Sequence, residues 1–194
     1  MKLAIDLTVS TKPEWIKTVL EDFDSFLIDH ADCERKASSS AMSFIAKYPN
    51  RTEMIPELIE TAVEELEHFQ QVYALMEKRG VSLAQKMPED PYIKQLMKSM
   101  HSGIEERFLD RLLIASVVET RGAERFRIVA ENMEDEELQQ FYKMLWISEA
   151  KHGHIFVKMA LMYFPEDKVY DRLHWWMDTE GKIIDALPFR AALH

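Results

Sequence analysis

The stretch Val63-Glu64-Glu65-Leu66-Glu67-His68-Phe69 and its later counterpart Ser148-Glu149-Ala150-Lys151-His152 decide how this chain is read. Each contains Glu-x-x-His, a spacing that sets a carboxylate and an imidazole on one helix face, about one turn apart. The flanking residues keep a helical period. Leu58, Ala62, Glu65, Phe69, Val72 and Leu75 or Met76 form one inward line, with His68 beside Phe69. Leu138, Phe141, Leu145, Glu149, His152, Phe156 and Met159 form another. Apolar residues at steps of three and four are the pattern of helices packed in a bundle. A glutamate on such a line is informative, because a buried carboxylate is costly unless something compensates it.

Two further seams carry one glutamate each. Leu20, Phe23, Leu27, His30, Glu34, Ala37, Ala41, Phe44 and Tyr48 make the first; Phe108, Leu112, Ala115, Glu119, Gly122, Phe126, Val129 and Met133 make the third. Glu34 precedes Glu65 by 31 residues and Glu119 precedes Glu149 by 30, so the chain reads as two similar helical hairpins. Glu124 is a poorer choice than Glu119, since its interval to Glu149 is 25 and it falls off the seam. Glu65 is preferred to Glu64 because the fourth helix offers only the three-residue spacing to its histidine.

Punctuation residues set the element boundaries. Pro13 opens a short leading helix. A long helix then runs from about Glu21 to Lys47 and stops at Pro49-Asn50. Thr52 is the expected cap of a second, ending at Gly80. Met87 to Pro91 reads as a loop, followed by a short helix to about Met100. The third and fourth long helices span roughly Gly103 to Asn132 and Asp135 to Tyr163. A fifth, from Glu166 to about Leu187, carries Trp175 and Trp176 and is expected to pack outside the bundle. With no linker or low-complexity tract, residues 1–194 are expected to form one all-α domain: a four-helix bundle with a short N-terminal and a longer C-terminal helix added.

The six seam residues Glu34, Glu65, His68, Glu119, Glu149 and His152 make the ligand set of two-metal carboxylate bundles. Four ionised glutamates total −4, and two divalent cations would neutralise them; without cations they would be desolvated and mutually repelling. Hard carboxylates with imidazole suit iron or manganese, and zinc also accepts the set. His30, one turn before Glu34, reads either as a partner of that ligand or as a hydrogen-bonded core histidine. His154 faces away from His152, and Cys33 reads as a packed small residue. Three residues after each lone glutamate stands a small residue, Ala37 or Gly122, so room for dioxygen and a substrate is expected on that side.

Composition narrows the field. Hydrophobic content is 47% and charged content 30%, with only five glycines, which favours helices in a water-soluble chain. The single cysteine excludes an internal disulfide and a four-cysteine metal site. At a net charge of −10, nucleic-acid binding would need a local basic patch. Arg35, Lys36, Arg121, Arg125 and Arg127 lie near the ligand-bearing turns and are candidates for it; the alternative is that they are solvated helix faces. Met1 to Ser10 carry Asp6 and lack a long apolar core, so a secretory signal is not expected, and no stretch is long enough to span a bilayer. The expected location is the cytoplasm.

The segments Ile28-Asp29-His30-Ala31-Asp32-Cys33-Glu34-Arg35-Lys36-Ala37, Glu64-Glu65-Leu66-Glu67-His68-Phe69, Glu119-Thr120-Arg121-Gly122-Ala123-Glu124-Arg125-Phe126 and Glu149-Ala150-Lys151-His152 resemble those of a ferritin-like tRNA hydroxylase family. Its members act on 2-methylthio-N6-isopentenyladenosine beside the anticodon. The resemblance covers about Pro13 to Tyr163. It implies a ferritin-like four-helix bundle with a non-haem centre of two Fe ions, held by Glu34, Glu65, His68, Glu119, Glu149 and His152. It further implies dioxygen as co-substrate, an external electron donor, tRNA as partner, no membrane and a monomeric enzyme. Gly122-Ala123 stands where Ser-Cys is expected in relatives, so the pocket shape differs there. The rival reading is a ferritin-like iron-oxidising, storage or peroxide-scavenging protein; a storage cage would be a large oligomer. A metal-free helical adaptor is the third.

Overall fold

A computed structural model describes residues 5–194. Among them all regular structure is helical: α1 (Pro13–Glu21), α2 (Phe23–Lys47), a 3-10 turn (Thr52–Met54), α3 (Ile55–Arg79), α4 (Pro91–Lys98), α5 (Ile104–Asn132), α6 (Glu136–Leu161) and α7 (Glu166–Ala186). None of these helices is long and apolar enough to cross a membrane.

The boundaries differ from expectation where side-chain caps intervene. Asp22 accepts from Ser25 N at 3.2 Å, so the chain restarts as α2 at Phe23, and Leu20 stays on α1 with 44% exposure rather than joining the seam. Thr52 opens the 3-10 turn and does not cap α3, whose first turn contains Pro56. Asp90 accepts from Tyr92 N at 2.9 Å and makes Asp90-Pro91 the start of α4 rather than loop. Gly80 closes α3 at φ 69, the left-handed cap that a side chain resists.

The chain forms two compact units. One comprises Lys17–Pro88 with Phe189–Leu193. Here α2 packs on α3, and Phe26, Leu27 and Phe44 of α2 and Leu58, Val72 and Met76 of α3 are buried. Ser38 Oγ donates to Ala62 O at 2.7 Å, and Arg79 donates to Asp24 through Nε and Nη2 at 3.0 and 2.9 Å. The C-terminal strap is fixed by Leu193 N donating to Asp29 Oδ2 at 2.7 Å.

The other unit holds the chain up to Ile16, Glu89–Pro188 and His194. In it α5 packs closely on α6. Ser116 Oγ donates to Gly153 O at 2.7 Å, and a Cβ at Gly153 would meet Thr120 Oγ1 at 2.7 Å and Ser116 O at 3.3 Å, so only glycine allows this approach. The C-terminal helix α7 lies against α5, with Trp176 wholly buried and Trp175 41% exposed.

Asp110 on α5 ties this packing together. It accepts from Arg172 Nε at 2.6 Å, Trp176 Nε1 at 2.9 Å and His101 N at 2.7 Å. Burial pushes its carboxyl up, but the hydrogen bonds from Arg172, His101 and Trp176 outweigh burial and hold it below the ordinary 3.8. A lowered folded-state value contributes stability that is present above 3.8 and is lost as pH falls through the folded value. Asp110→Asn is therefore expected to melt below the parent at neutral pH, with the gap closing as the medium is acidified past that range. Calorimetry across pH checks this; a gap independent of pH would contradict it.

Candidate metal centre

In the first unit, α2 presents Glu34 while α3 presents Glu65 and His68, one turn apart, and all three are buried. His68 Nδ1 lies 3.7 Å from Glu34 Oε2 and 3.6 Å from Glu65 Oε2. One ligand atom from each of the three falls within 4.8 Å of the others. The inward line of α3 runs through His68, and Phe69 is only half-buried. His30 is wholly buried with a ring nitrogen 2.6 Å from Glu34 Oε1. An ionised carboxylate only accepts, so that nitrogen donates and fixes the Glu34 oxygen. His30 is thus a buried hydrogen-bond partner of Glu34.

The second unit repeats the arrangement. Helix α5 presents Glu119, half-buried, and α6 presents Glu149 and His152, both buried, with His152 Nδ1 3.3 Å from Glu149 Oε2. These three also offer ligand atoms within 4.8 Å of one another. Each unit thus converges two carboxylates and one imidazole. Two like charges this close in a desolvated place repel unless a cation or protons lie among them, and the donor set suits a divalent cation such as iron, manganese or zinc. The residues present therefore fit a metal. Beside Glu119, Gly122 is buried, yet a Cβ built on it meets nothing within 4 Å, so open volume flanks the helix one turn beyond the glutamate.

Of the five basic residues expected near the ligand turns, two are placed otherwise. Arg121 and Arg125 are buried, which overturns both readings of them, as an RNA-facing patch and as solvated faces. Arg121 donates to Glu180 through Nε at 2.7 Å and Nη2 at 2.8 Å, to Thr11 Oγ1 at 3.2 Å, to Val9 O at 2.7 Å, and to Glu124. Burial alone would lower its guanidinium, but Glu180 and Glu124 raise it above the ordinary value. Arg125 lies 4.6 Å over the Trp15 ring and is lowered to about 10, by burial first and then by the charge of Arg121. Tyr92 joins the cluster by donating to Glu180 Oε1 at 3.3 Å; burial and then the Glu180 charge raise its hydroxyl well above 10.0. Arg35 and Lys36 both pair with Asp32 at 2.5 Å, and Arg127 pairs with Glu131 at 3.0 Å. Burial raises the Asp32 carboxyl, and Lys36 and Arg35 more than reverse it.

Sequence reading missed this polar cluster, although a signal existed. Glu180 interrupts the apolar run Leu173, Trp176, Ile183 and Leu187 on α7, as the ligand glutamates interrupt theirs.

Comparison with known proteins places the chain. It is 37% identical over 156 residues to the tRNA 2-(methylsulfanyl)-N(6)-isopentenyladenosine(37) hydroxylase of Pseudomonas putida, covering 80% of this chain and 75% of that protein. It is 29% identical over 156 residues to the protein of the same name from Salmonella typhimurium, covering 80% of this chain and 56% of the relative, little more than half its length. A solved structure, described as protein 43 with aldehyde deformylating oxygenase activity from Synechococcus, matches at a TM-score of 0.90 with 32% identity. The match covers 95% of this chain and 92% of that one, and the fold is accordingly all-α and ferritin-like. The family model described as tRNA-(MS[2]IO[6]A)-hydroxylase (MiaE) matches residues 3–194, a span that takes in both carboxylate-histidine triads, and the chain belongs to that family.

Proposed function

We propose that this protein hydroxylates the isopentenyl side chain of 2-methylthio-N6-isopentenyladenosine in tRNA, with dioxygen as co-substrate and a di-iron centre as cofactor. The observation that carries this reading is the pair of matching triads within a chain matched by one family model over residues 3–194. Glu34, Glu65 and His68 from one hairpin would hold one iron, and Glu119, Glu149 and His152 from the other would hold the second. Four carboxylates against two divalent ions give a neutral set. Bound there, the irons would supply what side chains lack, the activation of dioxygen toward an unactivated C–H bond.

The chain's own residues do the rest. His30 holds Glu34 in one orientation through Oε1, with Oε2 on the side of His68, 3.7 Å from its Nδ1. The apolar packing around the triads limits access of water to the oxidising chemistry. Gly122 leaves the space in which an apolar isopentenyl group is accommodated. Insertion of one oxygen atom into C–H sends the other to water, and this consumes two electrons and two protons from an external donor. The enzyme acts as a monomer in the cytoplasm, where its tRNA substrate is.

Iron-loaded protein, given dithionite and air, is expected to convert tRNA from a strain lacking this hydroxyl group. Nucleoside mass spectrometry should show the hydroxylated adenosine, and none when oxygen is withheld. Absence of the product with iron bound would remove the tRNA assignment and leave the metal centre standing.

A further inference from the structure

Helix α6 carries Glu149 and His152 on its buried side and an unusual surface on the other. Between Leu138 and Pro165 the sole acidic residue is Glu149 itself, in a chain of net charge −10. Lys143, Lys151 and Lys158 are exposed, and none makes an ion pair among the described residues. Met144, Ile147 and Met162 are exposed beside them at 44%, 50% and 52%. At 3.6 residues per turn these six side chains fall within an arc about 100° wide, and Glu149 projects from the opposite side. Exposed apolar groups ringed by uncompensated lysines on an otherwise acidic protein mark a place where something acidic and partly apolar binds.

We propose that this outward face of α6 docks a small acidic one-electron carrier protein. The inference rests on the proposed hydroxylase reading, whose stoichiometry demands two electrons from outside. A carrier seated here delivers them one at a time in two encounters, leaving oxidised after each. Lys151 stands between the two ligands in sequence, so a docked carrier is separated from them by about one helix diameter, some 10 Å. Lysines steer an acidic partner and permit fast release, while the Met and Ile side chains give an adaptable apolar contact. Transient redox interfaces are small, which suits six side chains. An RNA partner fits less well. No arginine lies on this helix, and the one aromatic side chain within the arc, His154, is half-buried, so the usual means of gripping splayed bases are sparse.

The test titrates the iron-loaded protein with a recombinant acidic [2Fe–2S] ferredoxin and, separately, with substrate tRNA, by calorimetry at low and physiological salt. The triple variant Lys143→Gln, Lys151→Gln, Lys158→Gln is expected to bind ferredoxin about tenfold more weakly. The double variant Met144→Ser, Ile147→Ser should weaken it by about fivefold. Affinity for tRNA should change less than about twofold, and wild-type ferredoxin binding should fall as salt rises. Hydroxylation driven by dithionite should stay at the parental rate while ferredoxin-driven hydroxylation falls with the affinity. Three results would overturn the proposal: no ferredoxin binding to the parent, equal binding by both variants, or loss of tRNA affinity with ferredoxin affinity kept. Failure of the hydroxylase reading itself is seen separately, as absence of dithionite-driven product or of bound iron.

Discussion

Arg121→Met is expected to lower the melting temperature by about 6–20 °C. Arg121 is wholly buried and grips Glu180, also wholly buried, through two parallel hydrogen bonds of 2.7 and 2.8 Å. Its remaining donors hold Val9 O and Thr11 Oγ1, anchoring the segment that leads into α1. Methionine keeps much of the volume and removes the charge, so the loss is electrostatic. Glu180 is then left as a buried carboxylate without its two-pronged partner, with the Tyr92 hydroxyl at 3.3 Å and the charge of Arg125 acting from farther off. Breaking one partner of a buried pair costs about 3–5 kcal/mol, and a domain of this size shifts by about 2–4 °C per kcal/mol. The double variant Arg121→Met, Glu180→Leu should recover most of the loss, because replacing both charges with apolar groups leaves nothing unpaired. Scanning calorimetry of the two variants settles it. A single-variant shift of under about 2 °C would mean that water reaches Glu180 and that the network is worth no more than a surface pair.

The same pair explains how far the sequence could be read. Glu34, Glu65, Glu119 and Glu149 stand out because each breaks an apolar line, and their regular spacing, with histidine three residues on in two cases, distinguishes a ligand set from chance. Glu180 breaks its line in the same way, yet its compensation is a guanidinium 59 residues away. Periodicity registers that a carboxylate is buried and is silent about what neutralises it, so Arg121 and Arg125 passed for surface residues. Helix existence was legible for the same reason that boundaries were less so. The period of Phe108 to Met133 extends over many turns, whereas the break at Asp22 depends on one side chain reaching Ser25 N. The 3-10 turn at Thr52 was hidden because Thr52 and Pro56 each look like a helix start, and only the backbone geometry assigns them different roles.

Glu65→Ala is expected to abolish hydroxylation and to remove most of the stability that metal confers. Within its triad Glu65 is wholly enclosed and lies 3.6 Å from His68 Nδ1, and its ligand atom is within 4.8 Å of that of Glu34. In the metal-free parent these carboxylates repel or must share protons; removing one relieves that cost, so the metal-free variant should melt at or above the metal-free parent. In the metal-loaded parent the order inverts. Iron at about a thousand times its dissociation constant adds about 4 kcal/mol, or about 8–16 °C for a chain of this size, and chelation should take that gain away. The variant should gain little from iron and retain roughly one ion per chain or fewer by elemental analysis, with turnover reduced by about a thousandfold or more, since partners outside the ligand shell already cost 10–100-fold. Glu64→Ala, one residue away and exposed, is the control and should keep both metal and turnover. Because stability with and without chelator is read independently of turnover, the outcome distinguishes a lost ligand from a damaged substrate pocket. Equal melting of parent and Glu65→Ala in both states would mean that no cation sits among these acids, and the proposed oxidation would have no agent to perform it.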